Sequence, residues 1–217
     1  MTTTDFFTRC WKSGRLSRLP GLGAALALVW LLLAAIPLSV AAESAAEVTQ
    51  LRLERSSEGI LLFASVKIEL PPAVEDALLK GVPMFFVAQA DVVRHRWYWS
   101  DKKVASAQRH MRLVYQPLTR RWRLNVASGV ITPNSLGVAL NLNFDSLGDA
   151  MAALQRLAAW KIADASVIEP DAVHKVDFRF ELDLAQLPRP FQIGAFGQSD
   201  WTIFTSASQQ ISPESTR

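Results

Sequence analysis

The chain has 217 residues, of which half are hydrophobic, with 23 basic side chains, 20 acidic side chains and one cysteine. Four of the 23 basic residues and one of the 20 acidic residues lie before residue 43, so 19 of each remain and the rest of the chain is formally neutral. This balance excludes a strongly basic domain, and the single Cys10 excludes a disulfide framework. The roughly 175 residues after the first 42 suffice for one domain with its own core.

The N-terminus has the composition of an export signal. Four basic residues precede the uncharged run "GLGAALALVWLLLAAIPLSVAA", which ends with Val40 and Ala42 at the positions that signal peptidase reads. We therefore expect residues 1–42 to form a hydrophobic helix that is a signal peptide. The alternative is an uncleaved anchor, since about 20 apolar residues span a bilayer. In both cases residues 43–217 lie outside the cytoplasm, which predicts a periplasmic protein or one anchored in the inner membrane.

Alternating hydrophobicity predicts an N-terminal hairpin. Even-numbered positions from Ile60 to Leu70 are apolar, which is typical of a half-buried strand. A weaker strand over Leu51–Arg55 precedes it, and "SSEG" supplies the turn.

A short helix and a covered strand follow. In "PPAVEDALLKG" the two prolines favour a helix start, and Gly81 is placed to end the helix. Met84–Val93 has the apolar, β-favouring composition of a strand covered on both faces.

The segment from Val104 to Val126 predicts a hairpin whose register can be argued. "QPLT", residues 116–119, is the turn candidate, because Pro117 fixes one backbone angle. Burying the apolar side chains on one face predicts these pairs: Tyr115 with Arg120, Leu113 with Trp122, Met111 with Leu124, Arg112 with Arg123, His110 with Asn125 and Val114 with Arg121. In this arrangement Arg109 points toward the apolar side and Arg112 toward the outer face. Two opposed arginines repel, which implies acidic neighbours, an anion or hydration.

The remaining elements complete a β-rich order. Val138–Phe144 alternates, "DSLGDAMAALQRLAAW" predicts a helix with a Ser146–Asp149 capping box, and Val173–Leu184 predicts a strand with an acidic outer face near the arginine hairpin. Trp201–Thr205 predicts a last strand before a flexible tail, residues 207–217. We expect a mainly β (α+β) domain over residues 43–206, with seven or eight strands in an antiparallel sheet or sandwich and two short helices.

One stretch, "RHRWYWSDKKVASAQRHMRL", combines basic and aromatic side chains as single-strand binders do. Export removes nucleic acid as its partner, so the binding hypothesis is an anionic envelope component, against an alternative of packed tryptophans and solvated cations. The loop is expected over Trp97–Lys103. With the hairpin, the candidate binding residues are Arg94, Arg96, Trp97, Trp99, Lys102, Lys103, Arg112, Arg121 and Arg123.

Catalytic and metal signatures are weak. His95, His110 and His174 have no metal-ligand spacing, and the sequence indicates no cofactor. Asp177 and Glu181 share one face of a predicted strand, as the carboxylates of a hydrolase would, but alternating charges more often mark a solvated face.

Three blocks together carry a family resemblance: "ELPPAVEDALLKGVPMFFVAQADV", "RWYWSDKKVASAQRHMRLVYQPLTRRWRLNV" and "DLAQLPRPFQIGAFGQSDWTI". With them, residues 45–206 resemble exported proteobacterial proteins described only as a domain of unknown function, sometimes labelled proline-rich signal peptide proteins. The resemblance implies no catalytic residues, and it implies a regulatory link because such proteins are often encoded beside a nitrogen-regulation-type sensor histidine kinase.

The sequence thus predicts a non-catalytic binding or accessory module of the cell envelope. Its expected partners are an anionic envelope component or a membrane sensor protein, with membrane contact only through the N-terminal segment. The alternative is an envelope hydrolase that acts on glycan or lipid through Asp177 or Glu181.

Overall fold

The computed structural model describes residues 45–94, 101–128, 140–169, 172–195 and 199–211. All of them belong to one compact unit, Glu43–Arg217. The expected signal peptide or anchor lies outside the described residues. Within the described ranges, none of the helices has the length and apolar character needed to cross a bilayer.

The described residues form nine strands and three α-helices. The strands are β1 (Ala46–Ser56), β2 (Gly59–Ile68), β3 (Met84–Arg94), β4 (Lys102–Gln116), β5 (Arg121–Ala127), β6 (Leu140–Phe144), β7 (Arg156–Asp164), β8 (His174–Leu182) and β9 (Phe204–Ile211). The helices are α1 (Pro72–Leu79), α2 (Leu147–Gln155) and α3 (Arg189–Ala195). Short 3₁₀ turns cover Ala165–Val167, Leu184–Gln186 and Ser199–Trp201.

The strands form two antiparallel sheets. The smaller has the order β1-β2-β7, and the larger has the order β6-β5-β4-β3-β8-β9. The predicted mainly β, antiparallel class is confirmed, with nine strands where seven or eight were expected and three helices where two were expected.

The first hairpin is confirmed. Even-numbered residues of β2 are buried and its odd-numbered residues from Leu61 onward are more exposed, as the alternation predicts. Gly59 opens β2 at a φ of 137°, and a Cβ built there would lie 1.9 Å from the Ala163 carbonyl oxygen, so only glycine fits.

The long helix expected after Asp145 is wrong in its second half. Ser146 caps α2 as predicted, since its Oγ accepts from the Asp149 amide at 3.1 Å, but the helix ends at Gln155 and β7 begins at once. Trp160 and Ile162 of β7 are buried, and β7 pairs with β2 through a bulge that holds Ala159 at a φ of 46°. Pairing with β2 overrides the helical spacing.

The register of the β4–β5 hairpin differs by two residues from the prediction. Tyr115 pairs with Trp122 and Leu113 with Leu124, so the predicted faces are confirmed while each pair is shifted. The cause is a four-residue loop, 117–120, in which Arg120 adopts a φ of 52°. Arg112 therefore lies opposite Asn125 and not opposite Arg123.

The inner faces of the two sheets share one core. Phe86, Phe178 and Phe180 are fully buried, and the Phe86 and Phe180 rings stack at 5.9 Å. Arg109 points to this side, as predicted, and its Cζ lies 5.0 Å from the centre of the Trp160 ring. Burial lowers the pKa of Arg109.

The end of the chain differs from expectation. The last strand covers Phe204–Ile211 and pairs with β8, whereas Ser199–Trp201 is a 3₁₀ turn. Residues 207–211, expected to fray, therefore form part of a sheet. Gln192 of the unpredicted α3 donates to the carbonyl groups of Ala185 and Leu187, which holds the helix against the turn before it.

Candidate anion-binding site

On the outer face of the larger sheet, two neighbouring rows of mostly polar side chains run across β4, β5 and β6. Cross-strand pairing aligns the first row as Arg112, Asn125, Asn141 and the second as Val114, Arg123, Asn143. Successive side chains of a strand alternate between faces, so residues two apart project from the same side. The rows therefore collect two guanidinium groups and three amides on one surface.

These side chains line a shallow recess, which we call the arginine recess: Arg112, Arg123, Asn125, Asn141 and Asn143. Its volume is about 320 Å³. Arg123 Nε donates to Asn143 Oδ1 at 3.2 Å, and Asn125 Nδ2 donates to Asn141 Oδ1. Asn125 is 2% exposed, and among the described residues nothing donates to its Oδ1.

No carboxylate of the described residues neutralises the charge of the recess by an ion pair. Among the described ranges no carboxylate lies within 4 Å of the guanidinium of Arg112 or Arg123, by contrast with the seven ion pairs found elsewhere. Burial, and then the neighbouring charge of Arg123, lower the pKa of Arg112, which nevertheless stays protonated. Its Cζ lies 5.9 Å from the centre of the Phe85 ring, which supports the guanidinium from one side. Two adjacent guanidinium groups of this kind can bind a carboxylate or a phosphate through paired hydrogen bonds.

Three other predicted binding residues that the structure describes have carboxylate partners: two lie away from the recess and Arg121 lies at its border. Arg94, at the opposite end of β3, pairs with Glu169. Lys103 lies 2.8 Å from Asp91 and Arg121 lies 3.4 Å from Asp145.

The predicted loop over Trp97–Lys103 is corrected in its last two residues. Lys102 and Lys103 belong to β4, where Lys102 is exposed and pairs with Arg94 of β3. Arg96, Trp97 and Trp99 lie outside the described residues. Of the predicted binding residues that the structure describes, Arg112 and Arg123 line the recess, and Arg121 lies at its border.

The acidic face of β8 does not neighbour the arginine hairpin as predicted, because β3 lies between β4 and β8. Instead the carboxylates of β3 and β8 form a row of their own. Asp91 and Asp177 pair directly across the two strands, and we call these two residues the carboxylate row.

Asp91 is 3% exposed and fully engaged. Lys103 Nζ lies 2.8 Å from its Oδ2, Ser106 Oγ donates to Oδ1 at 2.6 Å, and Gln89 Nε2 donates to Oδ2 at 3.1 Å. Burial acts to raise the pKa of Asp91, but these hydrogen bonds outweigh it and hold the pKa below its ordinary value.

Asp177 is engaged in the same way. Lys175 Nζ lies 2.8 Å and Ser208 Oγ 2.5 Å from its Oδ1. Burial again acts to raise the pKa, and the two hydrogen bonds lower it below the ordinary value. Both carboxylates of the row therefore stay ionised and are poor proton donors.

His110 lies on the same outer face, one row further along β4 than Arg112. It is 7% exposed, and no described residue hydrogen-bonds to either ring nitrogen. Burial is the main reason that its pKa is lowered, while the charge of Asp183 raises it. Among the described residues no group of three or more His, Cys, Asp or Glu side chains could hold a metal ion.

The sequence reasoning missed the three asparagines of the recess. Their signal was present: "NLNF", residues 141–144, alternates amides with apolar side chains, and "RWRLN", residues 121–125, does the same with arginines. Such an alternation predicts that polar side chains share one face of each strand. It does not predict which of them are neighbours across β4, β5 and β6, because this depends on the strand register, and the predicted register of β4 and β5 was wrong by two residues.

The family pattern described as a domain of unknown function, DUF4390, matches residues 43–211, so the chain belongs to that family. Neither the curated proteins nor the solved structures include a match.

Proposed function

We propose that this protein is an exported, non-catalytic module of the cell envelope that binds an anionic envelope component through the arginine recess. The proposal for export rests on residues 1–42, whose basic start and apolar run have the composition of a leader. A periplasmic location, free or held by an inner-membrane anchor, is part of the same proposal.

One observation carries the binding function: Arg112 and Arg123 are neighbours without a carboxylate within 4 Å among the described residues. Like charges on adjacent strands are destabilising. Arg112 is half-buried and Arg123 is exposed, and a fold that keeps their charges together loses stability that an anionic ligand would restore on binding.

The amides around the guanidinium groups set what such a ligand contains. Asn143 accepts from Arg123 and holds its side chain in place, while no described residue donates to the buried Oδ1 of Asn125. A ligand with an anionic group beside a hydroxyl or amide group would pair with the guanidinium groups and also donate to Asn125 Oδ1. Glycans, lipid headgroups and acidic protein surfaces of the envelope share this chemistry.

The gene neighbourhood implied by the family resemblance makes a membrane sensor kinase the first protein partner to look for. In this proposal the module binds the anionic component and presents it to, or withholds it from, the sensor.

No observation favours the hydrolase alternative. Asp177 and Glu181 are four residues apart on β8, which corresponds to about 13 Å of strand, more than the carboxylate separation of glycosidases. Asp91, directly opposite Asp177, already accepts from three side chains.

The proposal is tested by in-cell crosslinking of the full chain, followed by identification of the crosslinked envelope components. A double variant, Arg112→Gln with Arg123→Gln, is compared with Arg179→Gln, which removes an exposed arginine from the same sheet face on β8. We expect the double variant to lose crosslinks that the wild type and Arg179→Gln retain. If all three proteins give the same crosslinks, the recess is not the binding site.

A further inference from the structure

We propose that a recess on the smaller sheet is a second binding site, which takes an acidic sugar unit, that is, a pyranose ring that carries a carboxylate. We call it the small-sheet recess and define it by the side chains of Gln50, Arg52, Phe63, Ser65, Arg156 and Ala158. None of these residues lines the arginine recess, which lies on the larger sheet. The inference therefore goes beyond the proposed function and does not depend on it.

The small-sheet recess lies on the outer face of β1, β2 and β7. Cross-strand pairing aligns Gln50, Ser65 and Arg156 in one row and places Arg52 opposite Phe63 in the next. The three longer polar side chains are exposed, and Phe63 and Ser65 are half-buried. The recess has a volume of about 750 Å³, a size at which proteins hold small ligands.

Irregular pairing on both flanks of β2 accompanies this recess. On one flank the pairing of β1 with β2 skips Thr49, and on the other flank β7 places both Ala158 and Ala159 beside Phe63. Ala159 takes a φ of 46°, a left-handed conformation that is costly for a residue with a Cβ. Bulges are frequent at sheet edges and next to active sites, and strained residues cluster at ligand sites. The strain of β7 therefore coincides with the place where the sheet is recessed.

The two guanidinium groups of the recess differ in their partners. The Arg52 Cζ lies 4.8 Å from the centre of the Phe63 ring, and its Nη2 lies 3.1 Å from Glu54 Oε1, so this side chain is held at the border of the site. Among the described residues, no carboxylate lies within 4 Å of the guanidinium of Arg156. Arg156 is therefore the cation that can bind the carboxylate of a ligand through paired hydrogen bonds.

The other side chains favour a sugar as the carrier of that carboxylate. Gln50 and Ser65 offer an amide and a hydroxyl, which both donate to and accept from ligand hydroxyl groups. The half-buried ring of Phe63 supplies apolar surface for the C–H groups of a pyranose. Acidic sugars combine a carboxylate, several hydroxyl groups and an apolar face, whereas acidic peptides lack the hydroxyl groups.

The test is calorimetry on the full chain in a non-ionic detergent, with trigalacturonate as the probe. Maltotriose is the neutral sugar for comparison, and triglutamate is the acidic peptide. We expect trigalacturonate to bind, and each of the other two to bind about tenfold more weakly, because maltotriose lacks the charged acceptor for Arg156 and triglutamate lacks the hydroxyl groups.

A variant of the free cation tests the site itself. Arg156→Gln should weaken trigalacturonate binding about tenfold, because it removes the charged donors. Arg156 is exposed, so the substitution leaves the fold intact. Lys161→Gln is the matched control, since Lys161 is an exposed cation of the same strand that lies outside the recess and 2.7 Å from Asp164. It should bind trigalacturonate as the wild type does.

A measurement without substitution locates the ligand. On addition of trigalacturonate to the wild type, the backbone amide NMR signals of Thr49 and Ala159 should shift, and those of Asn125 and Asn141 in the arginine recess should not. Shifts at the asparagines alone would place the sugar in the arginine recess and overturn the inference.

The remaining outcomes separate this inference from the proposed function. Equal binding by the wild type and by Arg156→Gln, or no binding of trigalacturonate by either, overturns the small-sheet recess as a site. Equally tight binding of triglutamate overturns the assignment to a sugar. Arg112→Gln with Arg123→Gln should leave trigalacturonate binding unchanged, and a loss of binding in that variant would support the arginine recess as the site instead.

Discussion

The carboxylate row, on β3 and β8, and the arginine recess, on β4, β5 and β6, lie on the same face of the same sheet, and their charges are balanced in opposite ways. Asp91 and Asp177 repel each other across β3 and β8, yet each accepts from a lysine and a serine. Arg112 and Arg123 repel each other across β4 and β5, and no described carboxylate within 4 Å balances them. A charged pair whose partners are supplied by the fold contributes to stability, whereas a pair left without partners is available for a ligand.

The largest expected effect concerns the carboxylate row. Asp91→Ala should lower the free energy of unfolding by about 2 kcal/mol, because it removes a buried acceptor from three donors at once. Urea denaturation of the variant measures the loss. Glu181→Ala, an exposed change on β8, is the matched control and should stay within about 0.5 kcal/mol of wild type. If both variants lost a similar free energy of unfolding, the hydrogen bonds of Asp91 would contribute no more to stability than those of a surface acid, which would contradict the account of the carboxylate row.

Acid should act on the larger sheet in two stages. Burial lowers the pKa of His110 and of His174, so below about pH 6.5 the unfolded chain binds protons that the folded chain does not. The free energy of unfolding should fall by about 1 kcal/mol between about pH 7 and about pH 5.

The second stage belongs to the carboxylate row. The pKa values of Asp91 and Asp177 lie below their ordinary value, so the stability they contribute is present above about pH 3.9 and is lost as the pH falls through the lowered values. Urea denaturation across the pH range measures both stages. His110→Gln should flatten part of the first and leave the second; a flat wild-type profile down to about pH 5 would contradict the first stage.

The smallest expected effect has the opposite sign. Arg123→Gln should raise the free energy of unfolding by about 0.5 kcal/mol in a buffer without multivalent anions, because it relieves the repulsion of Arg112. Arg179→Gln, on the same face beyond the recess, should not stabilise the protein. A loss of stability in Arg123→Gln would show that the arginine is part of the scaffold, and would remove the distinction between the two regions.

Much of the fold could be predicted because one physical pattern repeats. Alternation at Ile60–Leu70 and Val173–Leu184 identified the buried faces of β2 and β8, and the Ser146–Asp149 pair identified the start of α2. The predictions were wrong where a contact between residues distant in sequence determines the secondary structure. Leu157 and Trp160 continue the helical spacing of α2, and only pairing with β2 turns them into a strand.

The site was predicted in part for the same reason. Arg112 and Arg123 were named from their charge. The position of Asn125 opposite Arg112 depends on the register of the hairpin whose loop contains Arg120, and Asn143 lies opposite Arg123 through the pairing of β5 with β6. Lys103 was named for its charge as well, although the fold uses it to balance Asp91. Residue type alone does not separate a cation that stabilises from a cation that binds.

The central claim, that the arginine recess binds an anion, is tested most directly by unfolding the full chain in chloride and in sulfate at constant ionic strength. A ligand that binds only the folded state raises its stability. We predict that sulfate raises the free energy of unfolding of wild type and of Arg179→Gln, and that Arg112→Gln with Arg123→Gln shows no such increase. An equal increase in all three proteins would contradict the account, because sulfate would then act on the protein without the recess.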